Sequence, residues 1–272
     1  MELLVVVAVI GILASLVLPS LARARVKGQA AVCLGNHRQL SLALHMYAGD
    51  SEDRLPYNHG ASGTMEAIQS GRFDNWATSL LNWELDASNT NTAWLRAGGL
   101  GPFLSGGVAV YRCPADRVTS PIQRGAGWDG RARSVSLNAM VGDAGAFMQG
   151  GRNTNNPTYR QYLRLGDIRI ASGIFTFVDE HPDSINDGYF LNRLGQREWV
   201  DLPGSYHGGA VVLSFLDGHA EQHRWRRGLT QPPARPDAAD LPAAIPEQEV
   251  EDYEWLMWRA TRVVSTGISA VP

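Results

Sequence analysis

The sequence predicts an α+β protein: a long N-terminal helix packed on an antiparallel β-sheet, with long loops and a proline-rich C-terminal arm. Three observations carry this. Leu3 to Leu18 (LLVVVAVIGILASLVL) is an uncharged apolar run in which Ser15 is the only polar side chain. Val26, Ala30, Cys33, His37, Leu40, Leu44 and Tyr47 then recur at alternating steps of four and three, one stripe of an amphipathic helix. Two compact apolar runs, IFTFV at Ile174–Val178 and AVVLSFL at Ala210–Leu216, have the length of buried strands, and Asp217-Gly218 after the second supplies a hairpin turn.

Composition narrows the function classes. With 272 residues and 44% hydrophobic content the chain is long enough to bury a real core and too apolar to be disordered. Its 29 glycines follow no collagen period, and two cysteines are too few for a disulfide framework. A formal net charge of −3 gives no global electrostatic reason to expect a nucleic-acid partner. The organisation predicted is a helix over 1–48, a globular α+β head over 49–227, and a proline-rich arm with a short helix over 228–272.

The 16 residues of the first run fall slightly short of the ~20 that span a bilayer as a helix. A secretory signal peptide is the alternative. It lacks the basic segment that normally precedes the apolar one, although Ser20-Leu21-Ala22 has the small residues of a cleavage site. Glu2 is costly to bury beside such a run unless it is paired. It either stays in headgroup water or pairs with a positive group on another chain, which would set register between packed helices. Ser20 to Tyr47 continues the apolar helix and ends near Gly49-Asp50. Pro19 should kink the rod or leave a gap in its hydrogen bonding. The whole rod would be roughly 70 Å long.

Past the helix, 57–107 reads as irregular, with Trp76, Trp83 and Trp94 among Gly, Ser and Asn and a short helix within Thr90–Leu104 broken at Gly98-Gly99. Val108–Tyr111 is expected as a short strand leading to Cys113-Pro114, and Ser134–Val141 as another. Residues 142–160 form a Gly- and Asn-rich loop. His219–Trp225 returns as the hairpin partner of Ala210–Leu216. Five prolines in Gly228–Val250 predict an extended arm rather than a core segment. Glu249–Thr261 follows as a short helix offering Trp255, Leu256 and Trp258, either to its own head or to a neighbouring subunit.

The N-terminal pattern, with Glu2, Gly11 and Pro19 in order and spacing, resembles the first helix of type IV pilins and type II secretion pseudopilins. In that family a Phe and three further residues usually precede the Glu of the mature chain, where this sequence has Met1, and a short leader ending in Gly comes before them. Two further stretches resemble a bacterial group of prepilin-like proteins: His207, nine residues, then Asp217-Gly218; and Val178-Asp-Glu-His-Pro-Asp-Ser-Ile-Asn-Asp-Gly188, with Cys113-Pro-Ala-Asp116. The resemblance implies a pilin-like fold and a non-enzymatic role: a subunit made as a membrane-anchored precursor, processed by a prepilin peptidase with N-terminal methylation, and assembled by the pilus machinery. It would polymerise with copies of itself into an extracellular helical filament on the cell surface. Glu2 would meet the N-terminal amine of a neighbour, a head-to-tail contact that generates a fibre rather than a closed ring. The rival within the class is a pseudopilin of a secretion system. The rival outside it is a membrane-anchored exported binding or enzymatic domain. Arg23, Arg25 and Lys27 would lie on the outer side, against the positive-inside preference.

Other chemistry is open at this level. Asp179, Glu180, Asp183 and Asp187 crowd into nine residues, a candidate oxygen-ligand loop for Ca²⁺ that does not fit EF-hand spacing and that turn-forming residues also explain. His207 and Asp217 come without a hydrolase or zinc-protease motif and read as a capping pair hydrogen-bonded to each other rather than a catalytic one. His37 reads as a satisfied interface histidine rather than a ligand. In an exported chain Cys33 and Cys113 are either two buried thiols or a disulfide clamping helix to head, worth ~4 kcal/mol in the chain-entropy model.

Overall fold

The computed structural model describes residues 2–105 and 107–264. Its first element, α1 (Glu2–Asp50), is one continuous helix of 49 residues. Pro19 lies inside it without ending it. Lacking an N–H, Pro19 leaves the Ser15 carbonyl without its helical donor, so the expected gap in hydrogen bonding is local. The two halves face different surroundings. In the first, apolar side chains stand open on every side: Leu4 is 74% exposed, Ile12 61% and Leu16 69%. By length and composition this helix can cross a membrane. In the second half one stripe is buried, through Ala30, Cys33, His37, Leu40 and Leu44. The predicted stripe begins one turn earlier than the burial does, because Val26 is exposed.

The head adds α2 (Ala61–Ser70), α3 (Thr92–Ala97), α4 (Pro121–Gly125), β1 (Val135–Asn138), β2 (Met148–Gln149), β3 (Arg152–Asn153), β4 (Phe175–Asp179), β5 (Tyr189–Phe190), β6 (Glu198–Trp199), β7 (Ala210–Phe215), β8 (Ala220–Arg224), β9 (Ala243–Ala244) and α5 (Val250–Met257). Five strands form one sheet in the order β5-β1-β4-β7-β8. The pairs β1–β4, β4–β7 and β7–β8 are antiparallel, but β5 runs parallel to β1, so the sheet is mixed rather than wholly antiparallel. The reason is the long 180–188 connection, which carries the chain past β1 before β5 joins its free edge in the same direction. The predicted strand at Val108–Tyr111 is a 3₁₀ turn, its residues Val110 and Tyr111 buried in the core that α1 shares. Residues 142–160 are less irregular than expected, since β2 and β3 pair there. The helix α2 falls in a stretch read as irregular, and its only two buried residues, Thr64 and Ala67, leave almost no periodic signal.

Alternation along β7 explains why the whole strand is apolar. Val212 packs with Cys33 and Cys113 on the α1 side, whereas Val211, Leu213 and Phe215 turn to the opposite face. On the α1 side, Leu40 and Leu44 join Trp76, Tyr111, Phe177 and Leu216 in one core. The opposite face is covered by the C-terminal arm. Ile245, Tyr253, Leu256 and Met257 pack there on Phe175, Trp199 and Trp225. Within the stretch expected as an extended arm, Ile245 enters this core and β9 pairs with β6. Tyr253, Leu256 and Met257 belong to α5, which packs on its own head, the first of the two alternatives, and Asp252 accepts the backbone N–H groups of Arg226 and Arg227. Trp255 stacks on His223, while Trp258 stays 71% exposed.

Truncating the docked and the free half of α1 should separate their roles. Leu44→Ala should cost the head about 3 kcal/mol, the usual range for a fully buried leucine. Leu13→Ala, whose side chain is 57% exposed, should change it by less than about 0.5 kcal/mol. Denaturant unfolding of the full chain in detergent, followed by tryptophan fluorescence, reads both.

Candidate functional site

The segment after β4 holds most of the candidate chemistry, and the structure disperses it. Asp179 ends β4 opposite Val135 and points toward α1. Glu180 is held by Ser184 Oγ at 2.8 Å. Asp183 faces the arm, where its Oδ2 accepts the Arg235 N–H at 2.7 Å, and beside it His181 Nε2 meets the Pro232 carbonyl at 3.0 Å. Asp187 accepts the Tyr189 N–H at 2.8 Å. The four predicted calcium ligands thus serve four separate partners and converge on no common point, because Pro182 and the turn after it aim successive carboxylates at different elements. They correct the oxygen-ligand reading: three of these side chains organise the turn, and the fourth belongs to another group of residues.

That group lies under the helix. Cys33 comes from the buried stripe of α1. Cys113 follows the 3₁₀ turn, its N–H fixed by Ser134 Oγ at 2.7 Å. His207 sits in the loop before β7, where Gly208 and Gly209 both adopt positive φ and let the chain turn back so that the His207 N–H reaches the Ala210 carbonyl. Gly204 brings that loop against β4: its N–H donates to the Asp179 carbonyl at 2.6 Å, and a Cβ there would strike the Tyr206 ring.

The side chains converge. Cys33 Sγ donates to Asp179 Oδ2 at 3.0 Å, and Cys113 Sγ lies 3.3 Å from His207 Nε2. His207 Nε2 is 3.9 Å from Asp179 Oδ2, and the four terminal atoms all lie within 4.8 Å of one another. His37, one turn along α1 from Cys33, donates through Nε2 to the other oxygen of Asp179, Oδ1, at 3.4 Å. All five residues are buried, and the Nδ1 atoms of His37 and His207 have no hydrogen-bond partner among the described residues. The hydrogen bond to Cys113 and burial both push the Cys33 thiol up. Contact with Cys33 pulls the Cys113 thiol down, but burial and the nearby carboxylate outweigh it. Burial holds His207 below the ordinary imidazole range.

Several expectations change here. Cys33 and Cys113 meet, yet both are free thiols rather than a disulfide, each sulfur turned to a different polar partner. His207 does not bond Asp217. The two lie at opposite ends of β7, and Asp217 instead caps its own hairpin through the N–H and ring of His219. Gly218 takes φ +89° in that turn. Gly11 and Pro19 lie in the free half of α1, and the side chain of Glu2 lies outside the described residues. The sequence reading missed Asp179 as the partner of the helix and His37 as its second donor. The available signal was the position of an ionisable pair, Cys33 and His37, inside an otherwise apolar stripe. Every member of the cluster is buried.

A second buried group lies beside it. Arg133 donates to Ser79 Oγ, Val135 O and Ser136 Oγ, and burial lowers it to about 10. Burial raises Glu180 to about 8 and Asp187 to about 6.

No family model, curated protein or solved structure matches the chain.

Asp187 yields a pH prediction. Its folded value of about 6 lies above the ordinary 3.8, so ionising it costs stability. The penalty is absent below about pH 4, grows through the interval and is complete above about pH 6, where it reaches about 3 kcal/mol. Asp187→Asn keeps an acceptor for the Tyr189 N–H. It should unfold at higher denaturant than the native chain at pH 8, with the gap closing toward pH 4. A gap that does not vary with pH would refute the assignment.

Proposed function

We propose that this chain is the structural subunit of an extracellular type IV pilus-like filament, polymerising through residues 1–48. The observation that carries the reading is the division of α1. Its first half exposes Leu, Val and Ile on every side, a surface that water does not tolerate at this extent. Its second half is fixed to the head. Lipid hydrocarbon and a bundle of identical helices both satisfy the free half, so a subunit moves from one to the other without exposing apolar area. Gly11 supports the same reading: a Cβ there would meet nothing within 4 Å, so no contact among the described residues asks for glycine, whereas close approach of a second helix does. The pilin-like order Glu2, Gly11, Pro19 adds the electrostatic element, a carboxylate that pairs with a neighbour's N-terminal amine. The membrane is then the site of the precursor, the cell surface the site of the product, and the processing peptidase and assembly machinery the partners. The head, with its closed polar cluster, coats the outside.

The test is electron microscopy of material sheared from producing cells, with fibres identified by mass spectrometry. Fibres of this chain are expected, and Glu2→Ala should abolish them while the head keeps its unfolding midpoint. Recovery solely from membranes would favour a pseudopilin or an anchored domain, and normal fibres from Glu2→Ala would remove the role assigned to Glu2.

A further inference from the structure

We propose that Cys33, Cys113, Asp179 and His207 form a closed structural site for one divalent transition ion of the zinc class, joining α1 to the head. The donor set is two sulfurs, one imidazole nitrogen and one carboxylate oxygen, the chemistry of a tetrahedral zinc site. The sulfurs select against calcium and magnesium, which take oxygen ligands. The spacing fits as well. Metal–ligand bonds of about 2.0–2.3 Å at tetrahedral angles separate donor atoms by about 3.3–3.8 Å. The separations in the structure are 3.0, 3.3 and 3.9 Å, and all pairs lie within 4.8 Å. Four protein ligands in a buried pocket leave no position for substrate, which marks a structural rather than a catalytic ion.

Charge points the same way. Asp179 is fully buried, and among the described residues its side chain meets Cys33, His37 and His207 but no arginine or lysine. A buried carboxylate needs a compensating positive charge. A disulfide between Cys33 and Cys113 would leave the carboxylate facing two spent sulfurs, whereas a divalent ion takes it as a direct ligand; with both thiols deprotonated the site keeps the net charge of −1 that it has without the ion. On binding, each thiol releases its proton to solvent and the thiolates and carboxylate share the metal. His37 acts as a positioning residue: by donating to Asp179 Oδ1 it leaves Oδ2 turned to the metal. The four ligands come from α1, the loop at Cys113, the end of β4 and the loop before β7, so one ion ties the helix to three separate parts of the head. The inference is independent of whether the chain forms filaments.

The test uses the full chain, purified in detergent under reducing conditions without chelator, and measures bound metal by mass spectrometry. One zinc per chain is expected. Cobalt(II) exchanged into the protein should give tetrahedral d–d absorption and a thiolate-to-cobalt charge-transfer band. Cys113→Ser should weaken or lose that band, and Asp179→Asn and His207→Ala should each weaken binding at least tenfold. His37→Ala should weaken binding while leaving the charge-transfer band in place. The cobalt spectrum of the native chain decides without any variant: absence of the charge-transfer band overturns the proposal, even if the variants fail to fold. So do a spectrum unchanged in Cys113→Ser, and a separate preparation purified without reductant that yields no titratable thiols in denaturant.

Discussion

The docking of α1 onto β4 and β7 is the contact on which the rest of the structure depends. A helix that is apolar all round for its first half cannot be steered by that half, since nothing distinguishes one side from another. Orientation comes from the second half, where Cys33, His37, Leu40 and Leu44 make one side unlike the others. Once that stripe lies on the sheet, the strand beneath it is covered on one face. Its other face then requires a second layer, and the C-terminal arm provides it through Ile245, Tyr253, Leu256 and Met257. Helix, sheet and arm follow from one another in that order.

The parts of this fold that were legible in the sequence are those with a strong period. The four–three stripe located the docked helix face, and the runs at Ile174–Val178 and Ala210–Leu216 located β4 and β7 to within a residue or two. What was not legible depended on partners distant in sequence. The stretch 228–250 reads as extended because prolines set local backbone, yet its Ile245 joins α5 in a core layer because β7 is apolar on both faces. That strand carried the signal, not the arm. Val108–Tyr111 has the residues of a strand but settles as a 3₁₀ turn, its backbone bonded toward the sheet where the Tyr111 carbonyl accepts the Ser134 N–H just before β1. The parallel β5 contributes two residues, too short for any pattern.

The polar site shows the same limit more sharply. Four acidic residues in nine suggested oxygen ligands sharing an ion, because proximity in sequence was the only proximity available. In a turn, successive side chains diverge, and Asp179, Glu180, Asp183 and Asp187 each meet a different element. Convergence came instead from residues as far apart as 33 and 207. Cys33 and His37 on a helix stripe mark the position where an apolar contact gives way to a polar one, and Asp179 at the end of a buried strand is the group they meet. The buried polar groups cost stability, as the raised Glu180 and Asp187 and the lowered Arg133 each indicate. Such groups specify a unique arrangement of strand ends where apolar residues would tolerate several.

The position of the cluster along α1 also matters for load. The first buried residue of the helix is Ala30, and Cys33 lies one turn further on. Just upstream, Gln29 Nε2 donates to the Pro114 carbonyl at 3.1 Å, and before it the rod stands clear of the head, so any force applied to the first half reaches the head at this edge. Separation by peeling breaks contacts in order, beginning at Ala30 and Cys33 and reaching Leu40 and Leu44 only later. A staple at Leu44 would act after most of the interface was lost. A staple at Cys33 opposes the first step, and every contact downstream stays intact while it holds. An ion ligated from four elements is a bond of that kind, placed where a helix that leaves its own fold needs it.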